Sequence, residues 1–147
     1  MKTVLDKATR DELIARINTL NENSKAQWGT MNVYQMLKHN TLWEEWVLGK
    51  RVYKRQLPGY LFGRIALKSV LKDESPLRRG TPTFPDLKIT GDGSVSEERA
   101  KWIALIEEHA HVTNHNFVHT FFGKMTNEQI GQMAYKHADH HLRQFNS

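Results

Sequence analysis

Thr126-Asn127-Glu128-Gln129-Ile130-Gly131-Gln132-Met133-Ala134-Tyr135-Lys136-His137-Ala138-Asp139-His140-His141-Leu142-Arg143-Gln144-Phe145 reads as one helix from end to end. Thr126 and Gln129 have capping-box spacing, so their side chains can satisfy amides that a helix start leaves unbonded. At 100° per residue from Ile130, the apolar Ala134, Ala138, Leu142 and Phe145 fall at about 40° to 120°. His137 falls at about −20°, His141 at about 20° and Gln144 at about −40°, so both histidines join the buried stripe. Asp139 is predicted to face solvent and His140 to sit at the stripe's edge. A spacing of four puts two imidazoles about 6 Å apart along the axis on one face, where they can converge on one metal ion. His140, three residues from His137, competes with His141 for that role.

A third histidine comes from an earlier helix. Asn32 and Gln35 form another capping-box pair, and the helix they open is predicted to end at Gly49. Val33, Met36, Trp43 and Val47 share one face, with His39 at its margin beside Trp43 and Trp46. Burying three imidazoles without a metal would require three sets of hydrogen-bond partners. Two more helices are predicted. One begins at Thr9, with Glu12 as its box partner, and runs to about Asn21 with Leu13, Ile14, Ile17 and Leu20 inward. The other starts near Ser96, with Glu97 and Glu98 in its first turn and Trp102, Ile106, His109 and Thr113 inward. His109 is read as a satisfied core histidine, with a fourth ligand as the alternative. His111 is expected in solvent, His115 at the helix end against the dipole, and His119 in a loop-fixing role.

The connector between the second and third helices is too long for an ordinary loop. Tyr60 to Leu71 is amphipathic and is predicted to be a short helix; the Pro- and Gly-rich remainder reads as irregular. Such a crossover is needed if the helices it joins run parallel. It is also basic: residues 50 to 79 carry +7 of a chain whose net charge is +5. A solvated face is the ordinary reading of such a strip, and nucleic acid or an anionic surface the alternative. At 147 residues, 39% hydrophobic and 25% charged, the chain reads as one soluble domain over 1–147. No apolar run is long enough to span a bilayer, and Met1 to Asp6 lacks the apolar core of a secretory signal. Cys is absent, which excludes disulfides, thiolate ligands and a cysteine nucleophile. A cytoplasmic setting is the expectation.

Trp28-Gly29-Thr30-Met31-Asn32-Val33-Tyr34-Gln35-Met36-Leu37-Lys38-His39, followed by His137-x-x-x-His141-x-x-Gln144, resembles the DinB-like superfamily of metal-binding four-helix bundles. Phe121-Phe122-Gly123-Lys124-Met125-Thr126 looks like an uncharacterised branch of it. The likeness covers both ends of the chain and most of its helices, and is weakest in the basic crossover. It implies an all-α bundle, up-down-down-up and often dimeric, with a divalent ion, zinc or nickel, held by His39, His137 and His141. It also implies the activities of characterised relatives, thiol-dependent S-transferases and isomerases using low-molecular-weight thiols; many other members are labelled hydrolases.

Three neutral imidazoles leave a tetrahedral ion one open position, where water or a thiol ionises more readily. The expected function is therefore a metal-dependent S-transferase or hydrolase acting on a small molecule, with any thiol supplied as cosubstrate. Glu44, near the inward margin of its helix, is the expected base, and Gln144 the residue orienting a ligand or bound water. Trp28 and Met31 are expected at the site's mouth, reached by Phe84 and Pro85 of the crossover. A non-catalytic metal-binding bundle and a nucleic-acid or anionic-surface module are the competing functions.

Overall fold

Two of the predicted capping boxes open the two helices that matter most. In the computed structural model, which describes residues 1–111 and 117–147, Asn32 accepts from the Gln35 amide and Gln35 reaches back to the Asn32 amide. Thr126 and Gln129 do the same. The elements are α1 (Lys7–Ile17), α2 (Val33–Val47), α3 (Leu57–Val70), a 3-10 turn (Pro85–Leu87), α4 (Val95–Glu108), the strands β1 (Val118–His119) and β2 (Gly123–Lys124), and α5 (Asn127–Gln144). The described residues are thus mostly helical, with one short antiparallel hairpin among them that no sequence pattern announced. α2 stops where expected, with Gly49 in the left-handed region at φ 78°, a conformation that glycine adopts without a Cβ clash.

The helices pair by direction. Lys38 bonds Glu98 toward the start of α2 and α4, and Lys50 bonds Glu108 at their far ends, so these two run the same way. Val4 meets Gly131 near the beginnings of α1 and α5, and Arg16 meets Asp139 toward their ends, so these also run together. α2 and α5 run oppositely: Gln27, entering α2, bonds the Gln144 carbonyl at 2.7 Å, whereas Trp43 farther on stacks on His137. The crossover between α2 and α4 follows directly, because a chain leaving one helix must travel back to start a parallel neighbour. Leu13 and Ile17, Met36 and Leu37, Trp102 and Ile106, and Ala134, Ala138 and Leu142 meet in the core. Burying each of the larger of these contributes about 1.5–3 kcal/mol.

α3 starts three residues before the expected Tyr60–Leu71 and ends one before it, and it is clamped to the hairpin through glycine. A Cβ on Gly59 or Gly63 would lie 2.3 or 2.1 Å from the Phe121 carbonyl oxygen. Lys136 of α5 secures the far end, donating to the carbonyls of Val70 and Asp73 at 2.8 Å each.

Several expectations are corrected. Thr9 and Glu12 form no capping box: the N-cap is Asp6, three residues earlier, and Thr9 is buried within the helix. The helix ends at Ile17 rather than near Asn21. Asp139 does not face solvent but is buried, held by Arg16 at 2.8 Å and Arg143 at 2.7 Å. The wheel placed it correctly on α5; what it lacked was α1, which packs there. α4 begins at Val95, with Ser94 accepting from the Glu97 amide. The roles assigned to Thr113 and His115 lie outside the described residues. No helix among the described residues is long and apolar enough to cross a membrane.

Candidate metal centre

The antiparallel contact of α2 with α5 brings His39, His137 and His141 together. One ring nitrogen from each lies within 4.8 Å of the others, and all three side chains are buried. Nε2 of His39 is 3.1 Å from Nε2 of His137. For comparison, nitrogens around a tetrahedral zinc at about 2.0–2.1 Å lie about 3.4 Å apart. The three backbones are therefore already placed to present their imidazoles to one ion.

Hydrogen bonds fix which nitrogens are free. The Leu87 carbonyl, only an acceptor, faces His39 Nδ1 at 3.0 Å, so that nitrogen carries the proton and Nε2 keeps a lone pair. For His141 the logic passes through Gln144. The Trp28 carbonyl at 2.8 Å requires the amide nitrogen of Gln144, which leaves its Oε1 toward His141 Nδ1 at 2.9 Å. Nδ1 of His141 must then donate, and its Nε2 is free. Nδ1 of His137 is buried with no partner among the described residues, while Trp43 stacks flat on the ring at 4.4 Å. The three inward nitrogens thus share at most the one proton that His137 brings. Burial and neighbouring imidazoles push His137 well below the usual histidine range; burial does the same for His141 and lowers His39. His39 and His141, neutral with their outward N–H groups bonded to carbonyl oxygens, are oriented as metal ligands usually are, and the buried neutral His137 completes a donor set that fits a divalent ion.

The other expected site residues fall in two places. Gln144 belongs to the centre, as the group that orients His141 and ties it to Trp28. Gly29, at φ 80°, makes room for it: a Cβ there would be 2.7 Å from Gln144 Nε2. Glu44 does not join the three histidines. It is fully buried against α4, accepting from His109 Nε2 at 2.7 Å. Five residues separate it from His39, about 140° around the helix, which turns the two toward different neighbours. His109 is accordingly a bonded core histidine and not a fourth ligand. His140 is half-buried beside the centre, edge-on to Trp28 and His141.

His119 is not one of the three converging histidines; its Nδ1 accepts from the amides of Phe121 and Phe122 at 3.1 Å each and so shapes the hairpin turn. The crossover reaches the centre through the Leu87 carbonyl and through Arg79, whose guanidinium lies 4.0 Å above the Trp28 ring. Phe84 packs instead on Trp46 and His119. The Leu87 and Trp28 carbonyls carry no side-chain signal, which is why sequence reasoning missed them.

A family model described as "Protein of unknown function (DUF1569)" matches residues 2–147, nearly the whole chain. The chain belongs to the DUF1569 family. No curated protein and no solved structure matches it. For this DUF1569 member the buried three-histidine group is a site that could hold a metal ion.

Proposed function

We propose that this chain is a metal-dependent enzyme of the DinB-like kind, holding zinc or nickel on His39, His137 and His141. It acts as a thiol-dependent S-transferase or hydrolase on a small molecule. The observation that carries the reading is the convergence of three buried imidazoles, two of them with tautomers set, His39 by the Leu87 carbonyl and His141 by Gln144 held on the Trp28 carbonyl. The shared direction of α1 with α5 and of α2 with α4 supports the up-down-down-up order that the DinB-like resemblance implies. A divalent ion on three imidazoles supplies Lewis acidity at an open position, which favours ionisation of water or a thiol. The protein's own part is to hold the ligands deprotonated and aimed. Leu87 and Gln144 orient two imidazoles, and Trp43 packs against the third. Gln144 is a positioning residue, and Glu44 serves the α2–α4 contact. With no Cys in the chain, a thiol must arrive as cosubstrate.

Burial of all three ligands favours a second reading, a metal that only stabilises the bundle. Elemental analysis of untagged protein, with His39→Ala and His137→Ala alongside, is the first test. Near one equivalent of zinc or nickel, lost in both variants, is expected; no metal after reconstitution would sink the enzyme reading. The cobalt-substituted protein separates the two metal readings. A sulfur-to-cobalt charge-transfer band on adding a small thiol marks an accessible position, and a spectrum indifferent to thiol supports the stabilising role.

A further inference from the structure

Among the described residues, the large apolar side chains left exposed concentrate between Val52 and Ile65. Most belong to α3. Its inner side, Gly59, Gly63 and Leu67, is buried against the hairpin and the core, yet Leu57, Leu61 and Ile65 stand out at 83%, 76% and 71% exposure. Their spacing of four lines them up along one ridge, with Tyr60 and Phe62 exposed on either flank. Exposed Arg64 and Lys68 lie on the same side of the helix, so the bare face is apolar and cationic together. The glycine clamp holds the helix firmly in place with that side bare.

The charge around the ridge selects what covers it. Residues 50 to 72 hold seven Lys or Arg and no Asp or Glu, and five of the seven remain once Lys50 and Arg51 are set aside as partners of Glu108 and Glu45. Lys54, Arg64, Lys68 and Lys72 are exposed, and Arg55 lies 3.8 Å over the Tyr60 ring. A two-fold dimer through this face would set two such basic surfaces against each other, which disfavours a second copy. A bare nucleic-acid site would explain the cations but not the leucines. What covers it must offer an anionic surface and an apolar interior at once, as a lipid headgroup boundary does.

We propose that α3 docks this protein on anionic lipid surfaces, with Leu57, Leu61, Phe62 and Ile65 entering the acyl boundary. The flanking lysines and arginines then meet the phosphate and carboxylate headgroups. The inference does not rest on the metal reading, since none of these residues touches the histidine centre.

The test is co-sedimentation of the full chain with phosphatidylcholine vesicles, with and without phosphatidylserine. Two variants accompany it, Leu61→Ser/Ile65→Ser and Lys68→Glu/Lys72→Glu, each checked for helicity and metal content. Binding is expected only with phosphatidylserine and should fade as salt rises. Each double variant should weaken it by about tenfold or more. Sedimentation velocity on the free protein should show a monomer. The proposal is overturned if phosphatidylserine vesicles do not bind, or if the Leu61/Ile65 variant binds as the native chain does. It is equally overturned if the native chain is a dimer which that variant dissociates, for the ridge is then a self-interface.

Discussion

His141 owes its free nitrogen to a carbonyl it does not touch. The Trp28 oxygen fixes the Gln144 amide, and the amide fixes the imidazole. Gln144→Ala should leave the helices intact yet weaken metal affinity by roughly ten- to a hundredfold, read by competition with a chromophoric chelator. An unchanged affinity would show that His141 is held by its packing alone. His119 offers a test of burial without metal. Its pKa is pushed down to about 3 by desolvation, against 6.5 unperturbed. Below pH 6.5 the unfolded chain takes up a proton that the folded chain refuses until about pH 3, so stability falls with pH across that window. His119→Asn keeps an acceptor for the Phe121 and Phe122 amides but removes the titration. Its unfolding free energy should fall less steeply, by up to about 1.4 kcal/mol per pH unit, in urea melts. At this scale the inward histidines were legible because a wheel shows which side of a helix a residue occupies. Glu44 and Asp139 were misread because their partners, His109 and Arg16, sit on other helices.

Helix ends were read well where the signal is local and poorly where it is not. The boxes at Asn32 and Thr126 involve residues three apart and form as spaced. The identical pattern at Thr9 and Glu12 fails because residues 3–6 dock on α5, with Val4 bonded to the Gly131 carbonyl, and the helix starts sooner. Thr126→Ala should therefore cost about 1 kcal/mol of stability. Thr9→Ala should show no loss of a cap, and a matched cap-sized loss at both sites would contradict the structure. Gly63 makes a sharper case, because helix propensity and packing oppose each other. Alanine would gain about 1 kcal/mol of propensity in an isolated helix. Its Cβ, however, would meet the Phe121 carbonyl at 2.1 Å, a backbone atom with little room to yield. Gly63→Ala is expected to lose about 1–3 kcal/mol net in urea unfolding; a stabilised variant would mean that α3 is not clamped there.

Across the whole molecule, the three ligands span just over a hundred residues of sequence, and a metal that binds only their folded arrangement stabilises the entire bundle. With zinc at about a hundred times its dissociation constant, the gain should be about 2.7 kcal/mol. Thermal melts with and without chelator should show it in the native chain and lose it in His137→Ala. Persistence of the shift in that variant would place the metal elsewhere. The residues alone determined the helices, their caps at Asn32 and Thr126, and the inward facing of His39, His137 and His141. Those properties are local, written by spacing within one helix. The tertiary structure alone decided that Leu87 and Gln144 assign the imidazole protons, that Glu44 belongs to His109, that Arg16 buries Asp139, and that an apolar ridge of α3 stays bare. Each of these depends on which element packs across from a residue and how it is rotated, and no periodicity within a single segment records that.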